Sequence, residues 1–418
     1  MTTNTSPPSP PPSPSPSPPS SSSPTPPTAP YFLTLRTPAD ILAAIPYLVG
    51  FHPTSSLVVV GIDGGQAKMV VRWGLPLPPG TLDPVESLFR REGVTEMVAI
   101  GYGPGESVTP AMDEARRAAA RAGVRVGEAL RAHEGRYWSY VCDLPSCCPA
   151  EGTPYDSTSS RVAAEATVRG LVALPDRETL EHTLSPVTGP VRLAMRRATS
   201  DAVNEVKTAL AATPNLDAFT RRFVAEGLTR VRDALSAHTE GRRLSDAEAA
   251  RLGLDLAVVR IRDEAWTCMH ESHAALWKDL TRRLEPRFAP PAASLLAMAA
   301  WRAGDSVLAT VALERALAID PGYSMAGLLM HAVQNLLSPA IIQGRMPTPT
   351  ELDDAMGTAH AGWLLPLAGL LIDEDDPPPQ TVPHTNTSRP ASPALEQRAR
   401  LPKAIQRPTN GETADLEE

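Results

Sequence analysis

The run Leu57-Val58-Val59-Val60-Gly61-Ile62, followed by Asp63-Gly64-Gly65 and a second run from Lys68 to Trp73, decides the fold of the first half of this chain. A β-branched run of this length predicts a buried strand, and Asp-Gly between two such runs predicts a hairpin. Upstream, Thr37-Pro38-Ala39-Asp40 opens a helix: Thr37 can cap it, Pro38 suits the first helical position, and Asp40 puts negative charge in the first turn. That helix carries Ile41, Leu42, Ile45 and Leu48 on one face and stops at Gly50.

Downstream, Glu96 to Tyr102 predicts a third strand and Pro110 to Ala122 a helix that Gly123 ends. Val124 to Leu130 and Arg136 to Cys142 predict two further strands. Residues 31–158 therefore read as an α/β domain built on a mixed sheet, with a strand order that the sequence does not reveal. From residue 159 strand signals almost vanish. Ser159 to Leu171, Val191 to Ala212, Leu216 to His238 and Ser245 to Leu284 all show helical spacing, and Ser245-Asp246-Ala247-Glu248 forms a capping box. Residues 159–372 read as an all-helical domain. Within it, near 292–330, Gly304, Ala309, Ala316 and Pro321 stand at the spacing of the second helix of a tetratricopeptide repeat. One repeat cannot make a solenoid, so a single tetratricopeptide-like hairpin is expected.

The ends differ in composition. Residues 1–30 are almost entirely Pro, Ser and Thr, and residues 373–418 begin with Asp-Glu-Asp-Asp-Pro and show no apolar period. Both read as disordered tails that cannot bury enough surface to fold. The first segment lacks the charge and apolar stretch of an export signal, so a cytoplasmic protein with reduced cysteines is expected. Gly362 to Ile372, the longest apolar segment near the end, is far shorter than the ~20 residues of a membrane span. A net charge of −8 argues against a broad nucleic-acid surface.

Chemistry concentrates in Tyr140 to Pro154, which holds three of the four cysteines, Cys142, Cys147 and Cys148, beside Asp143 and Glu151. The loop follows a predicted strand, and ligands gather at the carboxyl ends of strands in open α/β sheets. Zinc would accept Cys142 and Cys147, although adjacent Cys147 and Cys148 rarely face one ion, and Cys268 or His133 would have to complete the set. A redox role needs a thiolate stabilised by positive charge, and the loop carries only acidic groups. The reading favoured by composition is that the thiols pack as small apolar groups under a Pro-braced loop. His52, in Gly-Phe-His-Pro, is a lone histidine that could act as a base if it met this loop.

Two other segments carry residues of interest. Cys268-Met269-His270 with His273 places two histidines on one helical face, where packing beside Trp266 and Trp277 is favoured over metal binding. Gly101-Tyr102-Gly103-Pro104-Gly105-Glu106 has the context of a phosphate cradle, but Glu106 stands where a third glycine belongs, so a plain strand-to-helix turn is expected.

Pro46-Tyr47-Leu48-Val49-Gly50-Phe51-His52-Pro53 followed by Ser56-Leu57-Val58, then Cys147-Cys148-Pro149 with Glu151-Gly152, then Val259-Arg260-Ile261-Arg262-Asp263 and the helices of Leu295 to Leu329 occur in this order. Together they resemble the actinobacterial domain-of-unknown-function family 4192 over about Tyr31 to Leu336. The resemblance implies a bacterial cytosolic protein and brings no activity, cofactor or functional residue.

Two functions remain. The favoured one is a non-catalytic interaction or regulatory protein that offers a groove along its tetratricopeptide-like helices to a protein partner. The alternative is an enzyme, or a small-ligand or metal-binding protein, with its site at the Cys147-Cys148 loop between the two domains. No cofactor and no oligomeric state is assigned.

Overall fold

A computed structural model describes residues 37–158 and 160–371. The segments 1–30 and 373–418, expected to be disordered, lie outside the described residues. The first helix, α1 (Pro38–Val49), forms as its sequence predicts: the Thr37 side chain accepts from the Asp40 backbone N–H, Asp40 returns the bond, and Gly50 caps the end in the left-handed region at φ +85°. Leu42, Ile45 and Val49 turn inward, whereas Leu48 is exposed.

Six strands make one mixed sheet in the order β2-β1-β3-β4-β5-β6. They are β1 (Ser56–Asp63), β2 (Gln66–Gly74), β3 (Glu96–Tyr102), β4 (Arg125–His133), β5 (Arg136–Ser139) and β6 (Thr153–Pro154). β1 pairs antiparallel with β2 and β3, β3 and β4 are parallel, and β5 and β6 continue antiparallel. Gly64 and Gly65 form the two-residue hairpin loop, both with positive φ, as a primed turn demands. The predicted mixed sheet is therefore present. Two elements escaped prediction: helix α2 (Asp83–Arg91) and the short β6. The fifth strand also ends at Ser139 rather than at Cys142.

Helices cover both faces of the sheet. Leu57 and Val59 of β1 pack with Val85 and Phe89 of α2 and with Ala111, Met112 and Ala115 of α3 (Gly105–Ala122). Val58 and Val60, pointing the other way, pack with Leu42, Ile45 and Val49 of α1. Burial on both faces explains the unbroken apolar run, each such side chain contributing ~1.5–3 kcal/mol.

The rest is helical: α4 (Arg161–Val168), α5 (Arg177–His182), α6 (Gly189–Ala211), α7 (Leu216–Thr239), α8 (Asp246–Asp255), α9 (Val259–Cys268), α10 (Ala274–Arg283), α11 (Ala289–Arg302), α12 (Ser306–Ile319), α13 (Ser324–Gln334), α14 (Pro339–Gln343), α15 (Pro349–Met356) and α16 (Leu365–Ala368). A backbone bridge joins this part to the sheet region, with His52 N–H donating to the Leu174 carbonyl at 2.9 Å. The segment Ser245 to Leu284 is broken into α8, α9 and α10, with Val258 and Met269 extended. Leu256, Val258 and Met269 are all buried, so the apolar spacing runs through both breaks and conceals them.

Every residue of α11 from Ala289 to Trp301 is buried, the mark of a central helix. α12 packs against it through Ala309, Ala312 and Ala316. Along Leu295 to Met330, α11 is wholly buried, whereas α12 and α13 also carry half-buried and exposed residues, among them Leu328. No helix among the described residues is long and apolar enough to cross a membrane.

Candidate metal centre

Strand β5 positions the cysteine loop. Alternation along the strand places Trp138 and Tyr140 on one face, opposite Arg131 and Ala129 of β4. The Arg131 guanidinium lies 3.7 Å from the centre of the Trp138 ring. Trp138 Nε1 donates to the Ala150 carbonyl at 2.9 Å, and the Tyr140 hydroxyl bonds Thr109 Oγ1 of α3 at 2.8 Å. Arg136 donates to the Gly152 carbonyl at 2.8 Å. Both ends of residues 140–152 are therefore held while the middle faces water.

Within the loop, the backbone N–H groups of Cys147 and Cys148 converge on one acceptor, the Leu144 carbonyl, at 3.1 and 2.8 Å. This curl, following Pro145, turns both thiols back toward Cys142. The Sγ atoms of Cys142 and Cys147 are 3.1 Å apart, and all three sulfurs lie within 4.8 Å of one another. Adjacent Cys147 and Cys148 do meet at one point, contrary to expectation, because the turn rather than an extended backbone carries them. The favoured packing reading is also corrected: Cys147 is exposed, and Cys142 and Cys148 are only partly buried.

The thiols titrate as a group. Hydrogen bonds from Cys147, the Leu144 backbone and Cys148 hold the Cys142 thiol below its usual range, against the charge of Asp143. The same bond to Cys142 raises Cys147. Cys148 is pushed up to about 12, by its bond to Cys142 and by burial. The hydrogen bonds thus favour charge on Cys142 over its two neighbours, a role that positive side chains more often play. A divalent cation would supply that charge more strongly and favour the thiolate form of each sulfur that binds it.

The other predicted residues stay apart. Among the described residues, no histidine or carboxylate joins the three sulfurs, so neither His133 nor Cys268 completes the set. His133 pairs with Glu134, and the Cys268 sulfur approaches Thr267 and Glu264. Asp143 and Glu151 are exposed beside the thiols. His52 precedes β1 at the end of the sheet where Ser56 is level with Tyr102, Tyr102 with Ala132, and Ala132 with Tyr137. Strand β5 runs away from that end, three strand positions or about 14 Å across the sheet. β5 is antiparallel to β4, so it starts near the carboxyl end of the β3–β4 pair, where Arg136 is level with His133, and runs back to its middle, where Ser139 is level with Leu130 and Ile100.

The histidine cluster also differs from expectation. α9 ends at Cys268, and His270 and His273 lie beyond it. His273 is buried, its Nδ1 accepts from the His270 backbone N–H at 2.9 Å, and its ring stands 5.7 Å from that of His238. Gly103 and Pro104 form the plain turn predicted before α3. An open depression of about 630 Å³ along that helix presents two carboxylates, Glu106 and Asp113, and one guanidinium, Arg117.

Sequence reasoning missed the residues that place the loop: Arg136, Trp138, Tyr140 and Gly152. The alternation of large aromatic residues at 138 and 140 was the available signal.

A comparison with protein-family models matches residues 38–340 to a family described as "Domain of unknown function (DUF4192)". No curated protein and no solved structure matches the chain. The matched span includes α1, the whole sheet, the cysteine loop and the helices through α13, and on that extent the chain belongs to the DUF4192 family.

Proposed function

We propose that this protein binds a thiophilic divalent ion, zinc foremost, through Cys142, Cys147 and Cys148. The observation that supports the reading best is the gathering of three sulfurs within 4.8 Å. Around a tetrahedral zinc with Zn–S bonds of about 2.3 Å, sulfurs stand about 3.8 Å apart, so the set needs only small adjustments. Three protein ligands leave a fourth position for water or an outside donor. Thiolate ligands favour zinc over magnesium or calcium.

On this reading the sheet domain (31–158) carries the site, and the helical domain (159–372) has α11 and α12 as a tetratricopeptide-like pair used as core. The reading is preferred to the groove-based interaction role because the buried α11 offers no surface to a partner. The test is metal content of the reduced, tag-free protein by inductively coupled plasma mass spectrometry, with a native thiol count. One zinc per chain and three protected thiols are expected. Protein that takes up no zinc under reducing conditions sinks the proposal.

A further inference from the structure

We propose that the three-sulfur site is oxidation-responsive: peroxide joins Cys142 to Cys147 as a disulfide, and the bound ion leaves. The inference rests on the metal reading above and adds its regulation.

Three features carry it. The first is access, because Cys147 is exposed and the loop from Asp143 to Ser146 lies open to water. The second is proximity. Cys142 and Cys147 sulfurs at 3.1 Å need to close by about 1 Å to reach a disulfide bond. The loop can absorb that locally, since its anchors at Trp138, Tyr140 and Arg136 lie outside the five-residue interval. The third is the choice of partner: Cys148 also lies within 4.8 Å of Cys142, but Cys147 is the more exposed of the two and is in direct sulfur–sulfur contact with Cys142. Cys147 and Cys148 are adjacent, so a bond between them would close a small strained ring, and Cys268 lies on α9 with Thr267 and Glu264 as neighbours.

The chemistry balances. The sulfur of Cys142 attacks one peroxide oxygen; an S–O bond forms, the O–O bond breaks, and the departing hydroxide takes a proton from solvent to become water. The sulfur of Cys147 then displaces the second hydroxide, which also takes a proton. Two thiolates lose two electrons, peroxide gains them, and two waters result. Cys148 remains as a single ligand, too few to hold zinc against solvent.

The test uses the full chain, reduced and loaded with zinc(II), then treated with hydrogen peroxide. Released zinc is read with a coloured chelator, and non-reducing peptide mass spectrometry maps the cross-link. Release of one zinc per chain with a Cys142–Cys147 disulfide, reversed by dithiothreitol, is expected. Cys147→Ser should lose the cross-link, and Cys268→Ser should behave as the parent protein. Zinc that stays bound while peroxide is consumed, or release with only over-oxidised thiols, overturns the inference and leaves the metal reading standing. Reduced protein that never takes up zinc overturns both.

Discussion

The indole ring of Trp138 occupies the space where a side chain at position 152 would stand. A Cβ on Gly152 would lie 2.6 Å from the Trp138 ring, and the Gly152 backbone has φ +81°. Gly152→Ala is therefore expected to destabilise by about 1–3 kcal/mol, through strain at positive φ and overpacking of the ring. It should also weaken zinc uptake, because the same contacts anchor the loop. Thermal melting and a zinc titration read the two effects, and an unchanged affinity would detach the anchor from the site.

The three cysteines should not be interchangeable with the fourth. Cys142→Ser, Cys147→Ser and Cys148→Ser are each expected to lower zinc affinity beyond the about 10–100-fold typical of outer-shell substitutions. Cys268→Ser should leave it unchanged. Competition titration with a chelator of known affinity decides this, and equal losses at all four positions would point to non-specific thiol binding.

Acid should weaken the fold through His273. Burial lowers its pKa, so below about 6.5 the unfolded chain binds more protons than the folded one. Its contribution is intact above about pH 6.5, declines as pH falls through that value, and levels off once the folded state also takes up the proton. Protonation of Nδ1 would cost the bond from the His270 N–H. Urea midpoints between about pH 5 and 7 should fall more steeply for the parent than for His273→Gln. Parallel slopes would remove His273 from the account.

A buried ion pair within α9 is extended to α15 through Arg260. Arg260 and Glu264, 1% and 0% exposed, bond at 2.8 Å; Arg260 also reaches Asp353 at 2.8 Å, and Arg232 reaches Glu264 at 2.6 Å. Arg260→Ala is expected to cost about 3–5 kcal/mol, because Glu264 stays buried with one partner fewer. Asp353→Asn should cost much less, since that carboxylate is largely exposed. Hydrogen exchange in residues 349–356 should rise in the Arg260 variant. A loss below about 1 kcal/mol would make the pair dispensable.

The elements that were legible share a cause: their signals are local. Thr37 with Asp40, Gly50, the glycine hairpin loop and the β-branched run of β1 specify backbone geometry within a few residues, and the structure follows them. α2 carried the same kind of signal in Asp83-Pro84 and Arg90-Arg91, and it could have been read. The breaks after α8 and α9 could not be read from period, because buried residues continue through them. The cysteine loop was legible as a place and not as an arrangement, for residue types do not say whether a turn opens or closes.

The sequence by itself determined α1, the β1–β2 hairpin and most of the other strands and helices, and that three thiols share one short loop. Tertiary structure alone decided that β5 runs antiparallel to β4, which carries the thiols away from His52, and that the Leu144 carbonyl curls Cys147 and Cys148 back to Cys142. It also decided that α11 lies at the centre of the helical core. Strand direction, long-range pairing and burial depend on contacts between residues distant in the chain, and local propensity carries no information about them.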